Sequence, residues 1–186
     1  ATKGEVGENP PDFDSSSRTI AEIRESELLC AAKILGLKEV HFLGYRDSGM
    51  EGSRNNADPR ALVSQSLEQV AHKIAEKILE IQPQAVITFD PLGGYRHPDH
   101  IAINKATTKA FYSVLGSNKI GDNLPEYKPE YLLYHTFDRR FLKFFVKLLK
   151  LTGRNPSSFG KNGDIDIASF ASADFPIHIE ITISNV

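Results

Sequence analysis

The sequence predicts an α/β domain with a mostly parallel sheet, and three observations carry that expectation. The β-branched apolar run Ala85–Phe89 has the composition of a strand buried on both faces. Before it, Val63, Leu67, Val70, Ile74, Ile78 and Ile81 keep a helical period up to Pro83. A second short apolar run, residues 39–43, precedes that helix. Strand, helix and strand then make a βαβ unit, whose crossover is right-handed. Sheets of this kind take ligands in the crevice beyond the carboxyl ends of their strands.

Length and composition narrow the class. The chain has 186 residues, a formal net charge of −2 and 40% hydrophobic residues, which suits one globular domain with an adequate core. That charge balance gives no basis for a nucleic-acid partner. Cys30 is the single cysteine, so there is no disulfide framework; among apolar neighbours in a helix it reads as a small core side chain. No stretch approaches the ~18 apolar residues of a membrane span, and no export signal opens the chain. Cytoplasm is therefore the expected compartment. No repeat or second domain boundary is visible.

Taken in order, Thr2 to Glu8 is a Gly/Glu loop, followed by Asn9-Pro10-Pro11 and a serine cluster that read as surface. Thr19 and Glu22 have capping-box spacing and open a helix to Leu35, stopped by Gly36. Ile20, Ala31 and Leu35, with Leu28 beside them, form its expected buried stripe. Arg24 and Glu27 stand three apart, as an ordinary surface ion pair would. The strand at 39–43 runs into the polar loop Gly44-Tyr45-Arg46-Asp47-Ser48-Gly49-Met50. Asp58-Pro59 reads as an N-cap and first turn for the long helix, with His72 solvated on it.

Beyond Pro98, Ile101 to Leu115 reads as a helix ended by Gly116, and Tyr131–His135 as another strand with a structural His135. Residues 139–151 interleave Phe141, Leu142, Phe144, Phe145, Val146, Leu148 and Leu149 with Arg140, Lys143, Lys147 and Lys150. Apolar residues on most of that circumference favour a lid over the pocket or a homo-oligomer contact; membrane contact is not expected. Residues 153–163 are a loop. Residues 176–183 form a terminal strand, with Ile177, Ile179, Ile181 and Ile183 on one face.

The stretch with the most chemistry is Thr88-Phe89-Asp90-Pro91-Leu92-Gly93-Gly94-Tyr95-Arg96-His97-Pro98-Asp99-His100. Pro91, Gly93 and Gly94 stop the strand in a tight loop, and Pro98 fits the first turn of the next helix. That puts His97 at the cap and Asp99 and His100 in the first turn, where two imidazoles three apart can converge. Two readings follow from residue types alone. Either the cluster binds a metal, with a carboxylate orienting a histidine, or one histidine caps the helix and the other is solvated.

Gly93-Gly94-Tyr95-Arg96-His97-Pro98-Asp99-His100-Ile101 resembles the C-terminal metal motif of the LmbE-like (PIG-L) N-acetylglucosaminyl deacetylases. Arg46-Asp47-Ser48-Gly49-Met50 resembles their mycothiol-pathway deacetylase branch. The resemblance implies a Rossmann-like three-layer αβα fold, incomplete at its N terminus. It implies an N-acetylglucosamine-type amino sugar as substrate and Zn2+ as cofactor, with Fe2+ as the alternative. By this match His100 is the metal ligand, His97 assists the tetrahedral intermediate or leaving amine, Tyr95 binds the oxyanion or substrate, and Asp99 orients a histidine. Asp47, Arg24 and Glu5 would contact the sugar. The family usually has a small residue where this chain has Arg96, a departure that would add an anion contact at the rim.

The other two ligands and the general base of the family come from a His-Pro-Asp-Asp motif absent from these 186 residues. The fragment alone is therefore expected to be inactive. A non-catalytic sugar-binding domain that has lost the metal half is the competing reading. A dinucleotide-binding domain is disfavoured by the lack of Gly-x-Gly-x-x-Gly at a strand-to-helix turn.

Overall fold

The structure is a computed structural model that describes residues 1–7, 18–116, 127–136, 138–158, 166–173 and 175–182. The serine cluster within residues 8–17, most of the polar loop read before Pro129, residues 159–163 of the loop read at 153–163, and Ile183 lie outside these.

Thr19 caps helix α1, Ile20–Ile34, with the reciprocal capping box that its spacing predicts. The stripe expected on that helix is not buried. Only Ala32 is, while Leu28, Leu29, Ile34 and Leu35 are 44% to 80% exposed, and Cys30 is exposed too. Apolar spacing buries a face only where another element lies against it. Among the described residues α1 makes no broad contact with a helix or strand.

Residues 39–43 pair with no strand; the nearest ladder contact is an isolated parallel bridge between Arg46 and Ala61. A strand needs a neighbour for its backbone groups, and this run has none among the described residues. The long helix also starts later than expected. The Asp58 carboxylate bonds the Arg60 amide and guanidinium, and the chain passes through 3-10 turns at Arg54–Ala57 and Leu62–Ser64. Ser66 then caps α2, Leu67–Ile81, by accepting from the Gln69 amide. Ser-x-x-Gln was the operative start signal. Gln82 closes the helix in the left-handed region before Pro83.

Strand β1, Ala85–Phe89, pairs in parallel with β2, Tyr131–His135, in the register Ala85 to Tyr131 through Phe89 to His135. Between them lie the single turn α3, Gly93–Arg96, and α4, Pro98–Gly116. The chain is thus mixed α/β, and its βαβ unit is β1–α4–β2. Helices α2 and α4 make the core: Val70, Ala71 and Ile78 face Ala106, Ala110 and Val114, with Tyr45 and Leu62 at one end.

Helix α5, Arg140–Leu151, buries Val146 and Leu149 against Ile167 and Ala171 of α6, Ile167–Ala171. The opposite stripe, Phe141, Phe144, Leu148 and Leu151, is exposed. Helix α6 also meets α3. Residues 176–182 are not a strand, and Ile177, Ile179 and Ile181 are exposed. Their alternation has no sheet edge beside it among the described residues. No helix among the described residues is long and apolar enough to cross a membrane.

Candidate active site

The site is built on the turn between β1 and α4. Phe89 ends the strand, and its carbonyl accepts from Asn104 Nδ2 at 2.6 Å, which ties the strand end to α4. Gly93 has φ +64°, and a Cβ there would lie 2.8 Å from both His100 Cβ and Ile101 N. Only glycine lets the turn approach the helix so closely. Arg96 has φ +68°, a left-handed conformation that residues with a side chain adopt only under strain. His97 then caps the first turn of α4, its carbonyl accepting from the His100 and Ile101 amides.

That turn brings Tyr95, His97 and His100 together. The imidazole centroids are 4.8 Å apart, and the Tyr95 ring stands edge-on to His97 at 5.8 Å and to His100 at 5.2 Å. His100 also stacks on Phe89 at 3.9 Å. Its Nδ1–H donates to the Gly93 carbonyl at 3.1 Å, so the neutral ring keeps a lone pair on Nε2. Burial, then the neighbouring His97, lowers the His100 pKa and favours that neutral ring. The Asp99 amide donates to His97 Nδ1 at 3.2 Å, which leaves the proton of neutral His97 on Nε2.

The Asp99 side chain is 4% exposed, and Oδ2 accepts from the Ser48 amide at 3.1 Å. Burial raises its pKa. Its contact with His97 runs through the backbone amide, not through the carboxylate. Burial also raises the Tyr95 pKa, with Asp47 reinforcing the shift and Arg24 opposing it. The phenol therefore stays protonated and able to donate.

The residues expected to contact a sugar, Asp47, Arg24 and Glu5, lie together at the loop pair that the Ser48–Asp99 bond ties to the histidine turn. Asp47 is buried; its Oδ1 accepts from the Gly49 amide at 2.8 Å and its Oδ2 from the Val6 amide at 3.4 Å. Glu5 Oε2 accepts from the Asp47 amide at 3.1 Å, so the first loop and the 44–50 loop are joined by these two carboxylates. The Arg24 guanidinium lies over the Gly4–Gly7 turn and pairs with no carboxylate among the described residues, Glu27 included. Arg96 lines a groove of about 560 Å³ with Pro98, Ile101 and Lys105, and Glu5 lines a cavity of about 330 Å³ with Lys3 and Arg60. Neither space is lined by Tyr95, His97 or His100.

The donor chemistry at His100 suits a metal ligand: an imidazole oriented by a carbonyl at Nδ1, with Nε2 left to bind. Among the described residues, however, no group of three His, Cys, Asp or Glu side chains is arranged to hold an ion. Zinc sites need at least three protein donors. The described residues thus offer one oriented ligand and do not complete a centre.

Sequence reading missed four contributors: Ser48, Asp90, Asn104 and Arg139. Only Asp90 carried a signal, as an aspartate directly after a strand and before Pro91, where it can bond the turn's amides.

A histidine-rich site at the carboxyl end of a parallel strand, joined to a carboxylate-linked loop pair, is the arrangement the fold defines. The family model described as GlcNAc-PI de-N-acetylase (PIG-L) matches residues 1–111, and the chain belongs to this family. It is 39% identical over 136 residues to a 1D-myo-inositol 2-acetamido-2-deoxy-alpha-D-glucopyranoside deacetylase of Kineococcus radiotolerans, covering 65% of this chain and 38% of that protein. Proteins with the same name from Actinosynnema mirum, at 41% over 118 residues, and Streptomyces griseus, at 42% over 91 residues, are also similar. These alignments cover 59% and 47% of this chain, and 42% and 28% of those proteins. The chain thus spans less than half the length of the curated relatives it matches.

Proposed function

We propose that the protein is an N-deacetylase of a glucosaminyl substrate, hydrolysing the acetamide to acetate and a free amine. The observation that carries this reading is the Tyr95–His97–His100 cluster, with one imidazole leaving Nε2 free to accept and the other leaving Nε2–H free to donate. Membership of the PIG-L family and the deacetylases named among its relatives support it. The same membership supports a three-layer αβα domain as the fold of the whole protein.

In this reading Asp47, Arg24 and Glu5 hold the amino sugar. The three already meet through the Val6 and Asp47 amides and the Gly4–Gly7 turn, so the ordering they impose precedes binding. The protonated Tyr95 phenol donates to the oxygen that gains charge as the carbonyl is attacked. His97 Nε2–H stabilises the same charge or gives its proton to the leaving nitrogen. Asp99 sets the His97 ring through its amide and is itself fixed by Ser48.

Zn2+, or Fe2+, is the proposed cofactor, with His100 as a ligand and the remaining donors from outside the described residues. When bound, such an ion supplies Lewis acidity at the amide carbonyl and to an attacking water. The test is acetate release from N-acetylglucosaminyl-inositol by the parent protein, beside a thiol-conjugate amide of the same sugar. Release from the first identifies the deacetylase branch. Cleavage of only the second would replace it with an amidase, and cleavage of neither would reject the reading.

A further inference from the structure

Asp90 lies one residue beyond β1 and is 1% exposed; Arg139 lies one residue before α5 and is 5% exposed. Arg139 Nη2 donates to Asp90 Oδ2 at 2.7 Å. The other carboxylate oxygen, Oδ1, accepts from the backbone amides of Leu92 at 2.9 Å and Gly94 at 3.1 Å. The Asp90 carbonyl accepts from the Gly93 amide at 2.8 Å. Three consecutive amides of the site turn are thus held by one residue, and the Gly93 carbonyl between them is the acceptor for His100 Nδ1. A carbonyl only accepts, so its placement decides which ring nitrogen carries the proton.

Arg139 is itself fastened to the C-terminal part of the chain. Its Nη1 donates to the Ala173 carbonyl at 3.4 Å, and its guanidinium stands 5.0 Å from the centre of the Phe175 ring. A carboxylate this buried stays in place only while its charge is compensated.

We propose that Asp90 is a positioning residue for His100, acting through the amides of residues 92–94, and that Arg139 makes this setting depend on the docked α5–α6 segment. The carboxylate fixes the turn, the turn aims the Gly93 carbonyl, and the carbonyl holds the His100 proton on Nδ1, leaving Nε2 as the open donor atom. Losing Arg139 loosens the same turn from 49 residues away in sequence. The catalytic meaning of the pair rests on the deacetylase reading; its geometry does not.

The experiment is long-range 1H–15N spectroscopy of the histidine rings, with amide exchange, on the full 186-residue chain at pH 8. Wild type, Asp90→Ala, Arg139→Met and Arg139→Lys are compared. In wild type His100 shows a protonated Nδ1 and an unprotonated Nε2. In Asp90→Ala and Arg139→Met the His100 tautomers mix, and the Gly94 amide exchanges about tenfold faster or more, the scale of a lost hydrogen bond to a charged group. Arg139→Lys restores the wild-type tautomer. An unchanged His100 tautomer and Gly94 exchange in either folded variant overturns the proposal. Should both variants fail to fold, wild type still decides, because a His100 proton on Nε2 contradicts it. Failure of the deacetylase reading is a separate result: no acetate released by the parent while His100 keeps its Nδ1 proton.

Discussion

Replacing Gly93 with alanine tests whether close approach of the turn to α4 builds the site. The residue sits at φ +64°, where an L side chain costs about 1–2 kcal/mol. The new Cβ would also stand 2.8 Å from His100 Cβ, 2.8 Å from Ile101 N and 3.0 Å from Ile101 Cγ1. Two of these atoms belong to the first turn of α4 and cannot swing aside, so overpacking adds about 1–3 kcal/mol. The sum, about 2–5 kcal/mol, is a large part of the ~5–15 kcal/mol that holds a domain of ordinary stability. Gly36→Ala is the control, since Gly36 has φ +68° with nothing within 4 Å of a Cβ. It should lose only the backbone component, about 1–2 kcal/mol. Urea unfolding monitored by far-UV circular dichroism, analysed with a shared slope, gives both losses. Equal losses in the two variants would refute the argument that Gly93 is required by contact with His100 and Ile101.

Arg96→Gly should stabilise the protein by about 1 kcal/mol, because it relieves a left-handed arginine; a lower unfolding midpoint would contradict this. Hydrogen bonds from the Arg60 side chain, then its amide, hold the Asp58 pKa down at about 2 from 3.8. The depressed value means stability that is present above pH 3.8 and lost as pH falls through about 2. Asp58→Asn should therefore lose less stability than wild type on acidification through that window, and a parallel pH profile would remove Asp58 from the account. Tyr95→Phe in the parent protein should lower kcat about 10²-fold with little change in KM, as expected for a donor engaged mainly in the transition state. A rise in KM alone would make Tyr95 a substrate contact.

What the sequence made legible is mostly local. The Thr19–Glu22 capping box, the strand at Ala85–Phe89 and the Pro98 start of α4 are each written in a few adjacent residues, and each stands in the structure. The burial expected on both faces of that strand does not: Ile87 is 67% exposed, because among the described residues β1 pairs with β2 alone and nothing covers its second face. The long helix was harder, because Asp58-Pro59 and Ser66-x-x-Gln69 are both valid start signals. The choice fell to Ser66 once Asp58 engaged Arg60 and Arg46. Patterns that need a partner surface were misread: the α1 stripe with Cys30, the run at 39–43 and the alternation at 176–182 all lack a facing element among the described residues. In the site, Tyr95, His97, Asp99 and His100 are contiguous and could be read together. The Asp90–Arg139 pair could not, since nothing in a basic segment marks one arginine as the one that turns inward. The Ser48 bond to Asp99 likewise spans 51 residues and uses a backbone amide, which no side-chain pattern reveals.

The most direct test of the central claim is metal content together with acetate release on the full-length parent, beside the same protein carrying His100→Ala. The account predicts near-stoichiometric metal and deacetylation of an N-acetylglucosaminyl substrate in wild type, with both lost in the variant. A parent that binds no metal, and whose sugar binding survives His100→Ala, would contradict it and leave a sugar-binding domain.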